Sequence, residues 1–111
     1  MRTIIAGSRD YEFVGEDVAL LDGMTITEVV CGGARGADEC GRQWAVDRSI
    51  PVKMFPADWV THGRSAGPIR NRKMAEYAER LVAFWDGESR GTRHMIEVAR
   101  KLGLEVVVFN R

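Results

Sequence analysis

The chain has 111 residues, 16 of them basic and 16 acidic, so its formal net charge is zero. This length suits one domain, and a neutral chain disfavours duplex nucleic acid as the main partner. No apolar run reaches the ~20 residues that span a bilayer, and no signal sequence opens the chain, so we expect a cytoplasmic protein without membrane contact. Cys31 and Cys40 lack companions at ligand spacing, which predicts two unpaired thiols and no metal site.

Strands and helices alternate along the sequence. Apolar, β-branched runs predict strands at 2–7, 26–31, 52–55, 81–85 and 105–109. Apolar residues at helical spacing predict helices at 13–22 and 36–48, a third opening at Pro68, and a fourth capped by Ser89 or Thr92 and ended by Gly103. Residues 56–67 are expected to form a long loop. The alternation predicts an α/β fold, a small Rossmann-like three-layer sandwich with about five mainly parallel strands and helices on both faces.

Helical spacing also predicts which side chains are buried. Val14, Val18 and Leu21 are expected on the inner face of the first helix, and Trp44 on that of the second. In the last helix, the inner face is expected to include Leu102.

Three of the predicted strands end in glycine with arginine close behind. Glycine lets backbone N–H groups approach a ligand, and the guanidinium fork of arginine suits phosphate. Because parallel strands place their carboxyl ends at one edge of the sheet, we expect these loops to form one anion-binding site. A fourth segment, Arg64–Arg70, joins them. The predicted ligand-binding residues are Gly7, Ser8, Arg9, Gly32, Gly33, Arg35, Gly36, Arg64, Arg70, Asp86, Gly87, Arg90, Gly91 and Thr92.

Each of these features also has a structural interpretation. Glycine-rich turns serve tight packing, and charges beside a capped helix are often only solvated. Trp59 and Trp85 are candidates for stacking on a base, although Trp85 ends a strand and equally fits the core. His62 and His94 are not spaced as metal ligands and are expected to be structural or exposed.

Four motifs in this order resemble the SLOG superfamily, and most closely its YspA/YpsA-related branch of bacteria and phages. They are Gly-Ser-Arg from Gly7, Gly-Gly-Ala-Arg-Gly-Ala-Asp from Gly32, Ala-Gly-Pro-Ile-Arg-Asn-Arg-Lys-Met from Ala66, and Trp-Asp-Gly-Glu-Ser-Arg-Gly-Thr-Arg-His-Met from Trp85. The resemblance implies a Rossmann-like fold that binds nucleotides or nucleotide-derived ligands.

A related group, the cytokinin-activating lysine-decarboxylase-like enzymes, cleaves the N-glycosidic bond of nucleoside monophosphates. This chain is similar to it at Arg70, Met74, Gly91 and Thr92. Asn71 replaces that group's lysine, and its catalytic glutamate pair falls on His94 and Met95. The resemblance therefore implies that this chain has the nucleotide pocket of that group but lacks its catalytic glutamates.

Three functions follow as hypotheses. The first is binding of a nucleotide or ADP-ribose-like ligand through its phosphates, as a sensor or sequestering module, with no further cofactor required. The second is nucleotide hydrolysis, for which the candidate carboxylates are Asp86, Glu88 and Asp38. The third is binding of single-stranded nucleic acid, which the neutral charge disfavours. We also expect a homodimer, as in SLOG relatives.

Overall fold

A five-stranded sheet runs through the protein, and each strand is parallel to its neighbours. The computed structural model of the chain describes residues 1–111. The strands are β1 (Arg2–Gly7), β2 (Glu28–Cys31), β3 (Val52–Met54), β4 (Arg80–Trp85) and β5 (Glu105–Asn110). Their order is β3-β2-β1-β4-β5. The strand order therefore reverses beside β1, and the carboxyl ends of β1 and β4 form the switch point where such folds bind ligands.

Helices cover both faces of this sheet. They are α1 (Gly15–Asp22), α2 (Ala37–Asp47), α3 (Trp59–His62), α4 (Ala66–Tyr77) and α5 (Arg90–Lys101). One core cluster joins α4 and α5 to the sheet, and the other joins α1 and α2 to the opposite face. The predicted Rossmann-like sandwich is thus confirmed. None of these helices has the length and apolar character needed to cross a membrane.

The prediction of an uninterrupted loop at 56–67 was wrong. This segment contains α3 and a 3-10 turn at Gly63–Ser65 that leads into α4. The carboxylate of Asp58 caps α3 by accepting the Thr61 N–H at 3.1 Å. Helix α4 begins at Ala66, so Pro68 is its third residue. Proline is tolerated there because the first-turn N–H groups have no partner within the helix.

The predictions of which helix side chains are buried are confirmed in part. Leu21 and Trp44 are buried, but Val14 is 54% exposed because it precedes α1 as its N-cap residue. Leu102 is also exposed, since α5 ends one residue before it. Cys31 is buried and unpaired, and Cys40, also unpaired, is half-buried.

A buried carboxylate and an aromatic stack hold the segment between β1 and α1. Tyr11 stacks on Phe84 with ring centroids 5.8 Å apart. Asp17 accepts hydrogen bonds from the Tyr11 hydroxyl, from the Val14 N–H at 3.0 Å and from Arg111 Nε at 3.0 Å. Burial acts to raise the pKa of Asp17, but these donors together hold it below its usual range. The carboxylate therefore fixes the connection that follows Ser8.

We expect Asp17→Ala to lower the free energy of unfolding at pH 7 by about 2 kcal/mol, because three donors lose their shared acceptor. Urea denaturation measures this. The matched control is Glu16→Ala, whose exposed carboxylate reaches Arg111 only at 4.0 Å and should change stability by about 0.5 kcal/mol or less.

The effect of Asp17→Ala should also depend on pH. Folding lowers the pKa of Asp17, so its stabilisation is complete above the ordinary carboxyl pKa of 3.8 and is lost as the pH falls through the folded value. The wild type and Asp17→Ala should therefore converge in acid. Equal stability of both proteins at pH 7 would contradict the role given to this carboxylate.

Candidate functional site

A cleft of about 710 Å³ opens at the carboxyl ends of β1 and β4. Its walls are the segment after β1, the first turn of α2 and the N-terminal turns of α4 and α5. This volume lies within the range of small-molecule sites. The switch point of the sheet therefore carries a cavity large enough for a nucleotide-sized ligand.

The cleft brings together many of the residues predicted from the sequence. Those that line it are Gly7, Ser8, Arg9, Asp38, Arg70, Asp86, Arg90, Gly91 and Thr92. A smaller adjoining cavity of about 380 Å³ is lined by Gly32, Gly33 and Arg35, and it shares Arg9 and Arg70 with the main cleft. The predicted residues that line neither cavity are Gly36, Arg64, Gly87 and Glu88.

The glycine-rich loop after β2 surrounds a carboxylate of the protein itself. Asp38 lies buried in the first turn of α2, and its Oδ2 accepts the Gly32 N–H at 3.3 Å. Burial raises the pKa of Asp38 to about 6, although the Gly32 N–H, the charge of Arg70 and the N–H groups of Ala34 and Gly7 all favour the ionised form. N–H groups of the glycine-rich loop, which the sequence suggested as donors to a phosphate, thus stabilise the carboxylate of Asp38 instead.

Two glycines of this loop lie in close contact with other segments, and at Gly36 the contact is with backbone. Arg70 donates from a terminal guanidinium nitrogen to the Gly32 carbonyl at 2.7 Å, and a Cβ on Gly32 would collide with that guanidinium. Gly36 has φ of +76°, and a Cβ there would collide with the Ser8 carbonyl. Gly32 therefore makes room for Arg70, while Gly36 lets the loops after β1 and β2 pack together.

The hydroxyl of Ser8 has no partner in the protein. Ser8 is only 9% exposed and lines the cleft, and its Oγ has no protein atom in hydrogen-bonding geometry, although the hydroxyl lies near enough to the Asp86 carboxylate to help lower the pKa of that group. An unsatisfied buried hydroxyl costs about 1–3 kcal/mol, so an isolated one in a cleft indicates a place for a bound group. The Ser8 hydroxyl is therefore available to a ligand.

The N-terminus of α5 borders the same cleft and is also uncapped. Ser89 is the N-cap residue, but its side chain accepts no backbone N–H, and its Oγ pairs instead with Thr92 Oγ1 at 3.1 Å. First-turn N–H groups have no partner within a helix, and the helix dipole there favours negative charge. This turn and the Ser8 hydroxyl thus line the same cleft.

Asp86 and Glu88, two of the candidate catalytic carboxylates, lie in surroundings that differ from those of the buried Asp38. Asp86 Oδ1 accepts the N–H groups of Ser89 and Glu88, both at 2.8 Å, and these bonds lower the pKa of Asp86. Asp86 therefore closes the turn before α5, and an acid of lowered pKa is poorly suited to donate a proton near neutral pH. The exposed Glu88 lines neither cavity, which leaves Asp38 as the carboxyl suited to acid–base chemistry.

Asn71 and His94 line the cleft but are absent from the predicted ligand-binding set. Asn71 Oδ1 accepts from Arg70 Nε at 3.1 Å, and its Nδ2 lies 3.1 Å from His94 Nδ1. Because Nδ2 can only donate, His94 Nδ1 accepts, and the ring proton resides on Nε2. The resemblance to the N-glycosidic-bond-cleaving group matches these residues to its lysine and to one of its glutamates, and that signal could have identified them.

Of the two tryptophans considered for base stacking, one lies at the cleft. Trp59 is 53% exposed and lines both cavities. Trp85 lines neither cavity; its Nε1 donates to the Ser89 carbonyl at 3.1 Å, and Arg93 lies over its ring at 5.8 Å. An aromatic platform is thus available from Trp59.

The profile of the YspA, cpYpsA-related SLOG family matches residues 1–62. The chain belongs to this family. The Gene 61 protein of Mycobacterium phage D29 is 40% identical to this SLOG chain over 87 residues, covering 73% of the chain and 70% of that protein. No solved structure matches this SLOG chain.

The matched segment defines what this SLOG chain shares with its family. Residues 1–62 contain β1 to β3 and α3, and with them Ser8 and Asp38. The uncapped turn of α5 lies outside that segment. The family resemblance inferred from the sequence is therefore confirmed. The structure lines one cleft with Ser8 and the first turn of α5, two segments that the sequence analysis expected to meet.

Asp38 should make the stability of the protein depend on pH near neutrality. Its pKa is about 6 in the folded state and ordinarily 3.8, so between these values the native state holds more protons and loses stability as the pH rises. From pH 7 to pH 5, the wild type should gain about 1 kcal/mol relative to Asp38→Asn. Urea denaturation of both proteins at both pH values tests this, and identical pH dependence would contradict it.

Proposed function

We propose that this SLOG protein binds a nucleotide or nucleotide-derived, ADP-ribose-like ligand through a phosphate, as a sensor or sequestering module. The observation that carries the proposal is the unpartnered, buried hydroxyl of Ser8 in a cleft bordered by the uncapped first turn of α5. A phosphate offers acceptor oxygens to both, and it would satisfy a group that the folded chain leaves unsatisfied.

The arginines of the cleft support an anionic ligand. Arg9 and Arg90 line the cleft and form no ion pair, whereas the ion-paired arginines all lie elsewhere: Arg42, Arg48, Arg72, Arg80 and Arg111. The neutral net charge of the chain thus conceals unpaired cations at the cleft. Guanidinium groups bind phosphate through paired, charge-assisted hydrogen bonds.

The remaining polar groups suit the rest of a nucleotide. Asp10 and Asp38 supply acceptors for hydroxyl or base N–H groups, and the half-exposed ring of Trp59 supplies a stacking surface. His94 supplies an Nε2–H donor, since its Nδ1 accepts from Asn71 Nδ2. A site with acceptors, a donor and an aromatic surface beside an anion position favours a nucleotide over free phosphate.

Ser8→Ala should weaken binding of adenosine 5′-monophosphate by about tenfold, because a hydrogen bond to a charged group is lost. Isothermal titration calorimetry at fixed ionic strength measures this. The control is Ser65→Ala, which removes the hydroxyl of an exposed serine outside the cleft and should leave affinity unchanged. Unchanged affinity in Ser8→Ala, or no binding of nucleotides by the wild type, would overturn the proposal.

A second candidate function is hydrolysis of the nucleotide, and Asp38 is the observation that favours it. A cleft carboxyl with a pKa of about 6 exchanges its proton near neutral pH, as a general acid or base must. The glutamate pair of the N-glycosidic-bond-cleaving group is replaced here by His94 and Met95, so Asp38 would have to act in its place.

Chromatography of nucleoside monophosphates incubated with concentrated protein tests this second function. If Asp38 is the acid or base, product should form with the wild type, and Asp38→Asn should reduce its rate by about 100-fold or more. Binding of the same nucleotide to Asp38→Asn serves as the control for an intact cleft. Complete recovery of substrate from the wild type would exclude hydrolysis.

The homodimer expected from the sequence stays a prediction. Sedimentation velocity at micromolar concentration tests it, and a single species with the mass of one chain would contradict it.

A further inference from the structure

The smaller cavity continues the main cleft past two shared arginines. Arg9, Arg70 and Trp59 line both cavities, so the two adjoin at these side chains. We call the smaller cavity, bounded by Gly32–Arg35 on one side and Met54–Ala57 on the other, the second lobe. The binding of one phosphate at Ser8 and α5 leaves this lobe unused.

The two lobes differ in charge. The main lobe balances three arginines with three carboxylates, namely Arg9, Arg70 and Arg90 with Asp10, Asp38 and Asp86. The second lobe has Arg9, Arg35 and Arg70 and no carboxylate. The buried Asp38 offsets part of the charge of Arg70 from behind the loop, while Arg9 and Arg70 repel each other, so an anion bound in this cavity of about 380 Å³ would be attracted by guanidinium groups that no lining carboxylate neutralises.

Arg35 is the cation that belongs to the second lobe alone. It is exposed and forms neither a hydrogen bond nor an ion pair, so its whole guanidinium fork is available. Arg70, in contrast, is partly used by the Gly32 carbonyl and by Asn71. The available charge of the second lobe is thus concentrated on Arg35 and Arg9.

The floor of this lobe is apolar. Met54 and Trp59 line it and are 46% and 53% exposed, beside Pro56 and Ala57. Apolar surface next to unpaired guanidinium groups suits an anionic group carried by an organic ligand better than a small hydrated ion.

We propose that the second lobe is a subsite for a second phosphate of the same ligand, so that the protein selects nucleotides with at least two phosphates over nucleoside monophosphates. The inference rests on the proposed function, which supplies the first phosphate position at Ser8. It assigns Arg35 the role of selecting the ligand, with Arg9 and Arg70 bridging the two phosphates.

Calorimetric titration with three probes at fixed ionic strength tests the inference. The probes are adenosine 5′-monophosphate, adenosine 5′-diphosphate, whose phosphates are adjacent, and adenosine 3′,5′-bisphosphate, whose phosphates are separated by the ribose. At least one two-phosphate probe should bind about tenfold more tightly than the monophosphate. Which of the two gains affinity shows whether the second phosphate follows the first directly or lies across the sugar.

Variants at Arg35 decide whether the gain belongs to the second lobe. Arg35→Ala should abolish the gain and leave monophosphate affinity unchanged, and Arg35→Lys should keep part of it, since charge remains without the fork. Arg100→Ala removes the same charge from an exposed residue outside both lobes and should keep the full gain.

Two results would overturn the inference in different ways. Equal affinity for all three probes, or a gain that survives in Arg35→Ala, refutes the second-lobe subsite and leaves the proposed function intact. No binding of any probe refutes both.

Discussion

The buried carboxylate of Asp38 determines which hydrogen-bond donors the protein retains for a ligand. It lies inside the glycine-rich loop after β2, where it accepts the Gly32 N–H and attracts the charge of Arg70. A loop whose sequence suggests a phosphate cradle is thus already occupied by a side chain of its own. The N–H and hydroxyl donors that remain free lie at the ends of β1 and β4, while the glycine-rich loop contributes the guanidinium group of Arg35 to the adjoining lobe.

The same carboxylate explains features that would otherwise look unrelated. Arg70 lies against the loop, and its position leaves no room for a side chain at Gly32. Arg70 in turn fixes the amide of Asn71, and Asn71 fixes the tautomer of His94. A chain of oriented polar groups therefore runs from the buried acid to the far wall of the cleft. Because the acid titrates near pH 6, its proton uptake changes the charge at one end of that chain.

Much of the fold could be predicted from the sequence because its signals are local. Continuous apolar runs and helical spacing indicate a parallel sheet covered on both faces, and such a sheet gathers the loops after its strands at one edge. Features that depend on a few residues were missed. Helix α3 spans only four residues, too few to show periodicity, and Val14 departs from the helical face because α1 begins one residue later.

The candidate site was less accessible to prediction, for a different physical reason. Residue types indicate which groups can bind an anion, but they do not show which of those groups are already satisfied within the folded chain. Asp38 and the glycine-rich loop are close in sequence, yet only the geometry shows that they pair with each other. In the same way, Ser8 resembles many turn serines until its hydroxyl is found buried without a partner.

The central place of β1 has a consequence for synthesis of the chain. Strand β1 is synthesised before the other strands of this sheet, and it pairs with β2 on one side and with β4 on the other, where its partners begin at Arg80. The edge of β1 that pairs with β4 therefore stays open until β4 has been translated. An open apolar strand edge is a template for pairing with other chains, so the nascent protein passes through a stage at which aggregation competes with folding.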